Sequence, residues 1–190
     1  MIEPSVDLSN ISIETSRLRL RPFQDDDLAD FNRYAAEPGV GERAGWSAHQ
    51  TMEESRAILS LFQEGKRTLA IVLKATGRVI GSLGIEPLNP DVPRASDGPG
   101  KMLGYVLAKA EWGQGLMTEA VKAVITYCFT ALNLDYLQIA FYNTNTASRR
   151  VAEKCGFTPY TDQVLVTQWG ESRHGQVWML RNPRSVLTSP

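Results

Sequence analysis

Cysteine and histidine are scarce in this chain of 190 residues, with two of each. Cys128 and Cys155 are too few for a disulfide framework, and His49 and His174 add too little for a metal cluster. An excess of one charge is also missing, since 20 Lys and Arg stand against 21 Asp and Glu, a net charge of −1. The surface therefore projects no broad positive field, and nucleic acid is not the expected partner. A local anion pocket made of backbone amides remains open, because it requires no Lys or Arg. No apolar run approaches the roughly 18 residues of a membrane span. No basic stretch followed by an apolar one opens the sequence as a secretory leader would. With 43% hydrophobic and 22% charged residues, the expectation is a cytoplasmic single domain over residues 1–190, with no membrane partner.

What is present reads as an α/β chain. Arg17-Leu18-Arg19-Leu20-Arg21 alternates as a strand with one buried face, and Pro22 ends it. Asp25-Asp26-Asp27 ahead of Leu28, Phe31 and Ala35 predicts a helix, stopped by Pro38-Gly39. A second helix is expected from Thr51 to Glu64, with Gly65 as its stop, and the loop between the two helices carries Trp46. Leu69–Leu73 and Val79–Ile85 read as a hairpin turned at Gly77, and four prolines in residues 87–100 mark an exposed loop. A strand over Met102–Ala108, a helix over Thr118–Leu132 and a strand over Tyr136–Phe141 follow. A short helix over Asn145–Lys154, closed at Gly156, and the strand pair Gln163–Trp169 and Gln176–Arg181 complete the order. The alternation of elements is mixed, with meander pairing rather than repeated βαβ units.

Two constellations carry chemistry. In Glu111-Trp112-Gly113-Gln114-Gly115-Leu116-Met117-Thr118, two glycines let the backbone turn sharply into a helix whose first N–H groups lack partners. Such a turn can cradle phosphate without a basic side chain, although a plain strand-to-helix turn would look the same. A P-loop is excluded because Leu-Met-Thr stands where Lys-Ser/Thr belongs. A dinucleotide fingerprint fails on placement: Asp135 precedes the strand whose carboxyl end should carry the ribose-binding acid. The second constellation is Asn143-Thr144-Asn145-Thr146-Ala147-Ser148, at the carboxyl end of the Tyr136–Phe141 strand. Capping explains Asn143 or Thr144, but not Ser148, which lies a full turn inside the helix.

Taken in order, these segments resemble the GNAT superfamily of acyl-CoA-dependent N-acetyltransferases, in the branch that includes ribosomal-protein N-terminal (alanine/serine) acetyltransferases. The residues carrying the likeness are Leu103-Gly104-Tyr105-Val106-Leu107, Trp112 through Ala120, Asn145-Thr146-Ala147-Ser148 and Glu153-Lys154-Cys155-Gly156-Phe157. Thr15 through Pro22 and the Thr76–Gly81 hairpin add to it. The resemblance implies an α/β (α+β) fold with a splayed, mixed, largely antiparallel sheet of about seven strands and about four helices. It implies acetyl-CoA as co-substrate, no metal, and an amine substrate that is a small molecule or a protein N-terminus, acted on by a monomer or homodimer. By position, the backbone of Val106, Leu107 and Ala108 would meet the pantetheine, and amides of Gly113, Gln114, Gly115, Leu116, Met117 and Thr118 the pyrophosphate. Asn145 would bond the pantetheine, and Ser148 would sit near the thioester sulfur. Met117 departs from the small residue usual in the family, and His174 stands where relatives often have an acid.

The implied reaction is attack of a neutral amine on the thioester, which requires a base or a water chain. Glu86, ending a strand beside the central sheet, is the candidate base, and Ser148 the group beside the leaving thiolate. Trp46, His49 and His174 are candidates for the amine pocket. Cys155 could suggest an acyl-enzyme, but its place before Gly156-Phe157 suits packing. A CoA-binding sensor without turnover is the alternative function.

Overall fold

The computed structural model describes residues 5–94 and 98–184, so part of the proline-rich loop lies outside the described residues. Eight strands form one sheet in the order β1-β2-β3-β4-β5-β6-β8-β7. They are β1 (Ile13–Glu14), β2 (Leu18–Pro22), β3 (Thr68–Leu73), β4 (Arg78–Glu86), β5 (Gly100–Leu107), β6 (Tyr136–Tyr142), β7 (Thr158–Val166) and β8 (Ser172–Arg181). The helices are α1 (Leu28–Ala35), α2 (Met52–Gly65), α3 (Leu116–Thr130) and α4 (Thr146–Lys154). The eighth strand, against about seven expected, is the two-residue β1 on the edge of β2.

Local chemistry explains most boundaries. In β2, Leu18 and Leu20 are fully buried while Arg19 is exposed, as the alternation requires. Before α1, Asp27 accepts the Gln24 N–H at 2.8 Å and both Arg21 Nη atoms at 2.7 and 2.8 Å, fixing the entry to the helix. Thr51 Oγ1 caps α2 by accepting the Glu54 N–H at 3.1 Å. That helix keeps Gly65 in its last turn, and Lys66 takes the left-handed conformation instead (φ 52°). The last strand pair also differs from expectation. β7 starts at Thr158, where a polar stretch with a proline hides the strand, and Trp169 lies in the β7–β8 turn rather than in β7.

All pairs are antiparallel except β5–β6, which pair in parallel over Gly100–Met102 only. Beyond Met102, β5 stays with β4 to Leu107, while β6 stays with β8 to Tyr142. The sheet splits there. Two apolar clusters hold its faces: Leu83, Ile85, Leu103, Leu137 and Ile139 pack under α3 and α4. Phe23, Phe31, Tyr34, Leu59 and Val72 pack on the opposite face with α1 and α2.

Candidate active site

The split between β5 and β6 opens two adjoining cavities, of about 300 and 440 Å³. Arg43, Ala44, Tyr105, Asn145 and Ser148 line both, so the two cavities meet at the point where the strands diverge.

The first cavity runs from β5 to the start of α3. Gly113 and Gly115 take φ of 78° and 77°, a region open to glycine at little cost, and Gly115 is the N-cap residue of α3. No side chain caps that end. The amides of Leu116, Met117 and Thr118 therefore lack helical acceptors where these residues line the cavity. The Met117 side chain is buried in the core cluster, which leaves its N–H for the cavity. Gln114 does not line the cavity; its amide bonds Ala110 O and Glu111 Oε2 at 3.1 and 3.2 Å. The turn is anchored from below. Glu119 Oε1 accepts from Thr15 Oγ1 (2.6 Å), Ser16 Oγ (3.0 Å) and Arg17 N (2.9 Å), while Arg17 Nε bonds Oε2 (2.7 Å). Arg17 Nη1 also donates to Gln114 O at 3.0 Å. Burial by itself would raise the Glu119 carboxyl, but these donors outweigh it and bring its pKa to about 2.

Along β5 the three expected backbone contacts are not equivalent. Ala108 N–H already donates to Ile80 O at 2.8 Å, and the Val106 carbonyl lies against Gly81. The alternation of the antiparallel pair thus turns Val106 and Ala108 toward β4, and Tyr105 and Leu107 toward the gap. Leu107 O takes the Trp112 indole N–H at 2.7 Å, so the Leu107 N–H is the group left for a ligand.

At the junction, Asn145 proves to be the N-cap of α4. Its Oδ1 accepts the Ser148 N–H at 3.1 Å, and its Nδ2 donates to Arg43 O at 3.0 Å. The Ser148 hydroxyl lies 3.3 Å from the Tyr105 hydroxyl. Burial pushes the Tyr105 phenol up to about 12, against a smaller opposing effect of Ser148, so it stays protonated. The loop between α1 and α2 passes over the junction. Arg43 stacks over Trp112 at 4.8 Å, and Gly45 O accepts the Gln168 N–H at 2.7 Å.

The second cavity takes Asn89 and Asp91 from the loop after β4, Ala140 and Tyr142 from β6, and Gln163 and Leu165 from β7. None of the residues expected at the amine pocket lines either cavity. His49 is buried below α1 and α2, with Nδ1 2.8 Å from Ser55 Oγ and its ring against Phe31 and Trp46. Trp46 packs in the same cluster, and His174 is exposed on β8. Glu86 also stands apart: β5 separates β4 from the gap, and the Glu86 carboxylate lies 3.5 Å from Arg67 Nε. Arg43, Asp91 and Gln163 went unsuspected, because nothing local to them signals a site; Tyr105 had only its place in the β5 motif.

A cleft between diverging strands, ending in an uncapped glycine turn, is the geometry of a small-molecule site with room for an anionic group at the helix end and for a second molecule beside it. Sequence comparison gives the family. Residues 17–158 match the acetyltransferase (GNAT) domain, about three quarters of the chain, so the protein belongs to the GNAT acetyltransferases and is acetyl-CoA-dependent. Among its relatives is the uncharacterized N-acetyltransferase p20 of Bacillus licheniformis, 27% identical over 151 residues that make up 77% of this chain and 82% of the relative. Ribosomal-protein-S5-alanine acetyltransferase from Vibrio fischeri shares the fold at a TM-score of 0.68 and 19% identity, covering 92% of this chain and 98% of that one. RimJ from Mycobacterium smegmatis, solved with CoA-disulfide, does so at 0.72 and 20% identity, covering 94% and 90%. Among the described residues, no group of three His, Cys, Asp or Glu side chains could hold a metal ion, and no helix is long and apolar enough to cross a membrane.

Proposed function

We propose that the protein transfers the acetyl group of acetyl-CoA to a primary amine by direct attack in a ternary complex, with a protein N-terminal α-amine as the preferred acceptor. The observation that carries this reading is the meeting of the two cavities at Tyr105, Asn145 and Ser148. One arm suits the carrier and the other a second molecule, so both can be present at once. Bound acetyl-CoA supplies an activated acyl carbonyl and a thiol leaving group. The chain's own groups are then assigned as follows. The amides of Leu116 to Thr118 hold the diphosphate. The Leu107 N–H, on the open edge of β5, stabilises charge on the acyl oxygen. The Ser148 hydroxyl donates to Tyr105 Oη at 3.3 Å, which keeps it at the junction, and it turns that hydrogen to the departing sulfur.

Proton removal from the amine is assigned to a water chain that hands the proton on to Asp91, the carboxylate among the residues lining the acceptor cavity, since Glu86 lies outside it. Cys155 supports direct attack by being unfit as a nucleophile: burial, partly offset by Lys122, pushes its thiol up to about 11. A peptide end suits the acceptor arm because β6 and β7 border it with extended backbone, and the name of the Vibrio fischeri neighbour points the same way. Acetylation of a panel of peptides with free N-termini, set against small amines, tests the reading. Turnover of small amines with no peptide acetylated overturns the acceptor assignment. Initial-rate lines that intersect are expected, and parallel lines would establish an acyl-enzyme instead.

A further inference from the structure

α4 carries two charge pairs at a spacing of four residues, which places each pair on one face. Arg149 and Glu153 are opposite in sign and ion-paired at 3.0 Å. Arg150 and Lys154 are alike in sign, both line the cofactor cavity, and neither is joined to a hydrogen-bond or ion-pair partner among the described residues. Two like charges one turn apart destabilise a helix unless an anion lies between them. Their position is suited to one. Cys155 Sγ lies 3.8 Å from Thr118 O, so the last turn of α4 packs on the first turn of α3, beside the amide cradle. Lys122, one turn further along α3, is near enough for its charge to act on the Cys155 thiol. The carboxylate among the cavity-lining residues, Glu111, sits on the β5–α3 connection and is bonded to Gln114.

We propose that Arg150 and Lys154 form a subsite for the phosphate monoester on the ribose of CoA, separate from the amide cradle, and that this subsite sets a preference for CoA over its dephosphorylated form. The division follows from charge. Each phosphoryl of a diphosphate bridge carries about one negative charge and is matched by helix amides with their partial charges. A terminal monoester approaches two negative charges at neutral pH and is matched by full cations. The proposal rests on acetyl-CoA being the carrier.

Calorimetric binding of CoA and of 3′-dephospho-CoA, to the wild type and to the Arg150→Gln/Lys154→Gln double variant, tests it. Glutamine preserves helix propensity, so the exposed turn of α4 should stay folded. The wild type should prefer CoA by about tenfold, as expected for two partly exposed charge contacts. In the double variant the preference should fall to within about twofold, with affinity for 3′-dephospho-CoA unchanged to within about twofold. A retained preference, or an equal loss for both ligands, overturns the subsite. A wild type that binds CoA without discrimination overturns the subsite alone, whereas one that binds neither ligand overturns the carrier reading beneath it.

Discussion

The two arms of the cleft are assembled in different ways. The cofactor arm comes largely from one continuous stretch, Tyr105 to Thr118, together with one face of α4. The acceptor arm is gathered from Arg43-Ala44, the Asn89–Asp91 loop, β5, β6, α4 and β7. The first presents the free amides of the α3 N-terminus, whose direction is set by local conformation. The second depends on side chains whose convergence requires the whole sheet. Substitutions should therefore separate the arms: those in the cofactor arm should act through conformation and anchoring, and those around the acceptor arm through which molecule is accepted.

The largest effect is expected at Gly115. Gly115→Val places a β-branched residue at φ 77° and should weaken acetyl-CoA binding about a hundredfold by calorimetry. Next is the anchor of the same arm. Glu119→Gln removes a charged acceptor of four donors and should lower stability by about 2–3 kcal/mol in chemical denaturation. Its pH dependence has a definite sign. The folded pKa, about 2, lies below the ordinary glutamate value of 4.5, so the stabilisation is complete above that value and is lost as pH falls from 4.5 toward 2. The variant should lose this acid sensitivity.

At the junction, Ser148→Ala should reduce kcat about tenfold while leaving the KM for acetyl-CoA within about threefold, the signature of a contact to the leaving group. An equal loss in both arms' KM values would instead make Ser148 a binding residue. His49→Gln should cost about 1–2 kcal/mol of stability, through its buried bond to Ser55, and leave KM values unchanged. Burial lowers the His49 pKa, so its contribution is present above the unfolded value near 6.5 and fades as pH falls below it. The smallest effect belongs to His174. Being exposed and outside both cavities, it should tolerate His174→Ala with kcat/KM within about twofold. A large change in acceptor KM there would show that the acceptor arm extends to the β8 surface.

The contrast also accounts for what was legible beforehand. The glycine turn and α3 could be read from residues 113–130, because turn geometry, helix capping and the apolar stripe are all local properties. The expected start of α3 was two residues late, since an uncapped end carries no side-chain signal. Asn145 and Ser148 were recognisable as a pair, but the capping role of Asn145 needed the helix boundary to be known. Trp46, His49 and Glu86 have chemistry suited to a site, yet burial and strand order decide their surroundings. His49 fills a space between aromatic rings, and Glu86 stands one strand away from the gap.

The amino-acid sequence by itself determined the near-neutral charge, most of the elements and the glycine turn ahead of α3, because each depends on composition or on neighbours within a few residues. Tertiary structure alone decided where β5 and β6 part, which amides of β5 face the gap, and which distant side chains meet at Ser148. The packed sheet brings together segments far apart in the chain, as where Asn145 bonds Arg43 O and Gln168 bonds Gly45 O, and no local pattern encodes that distance.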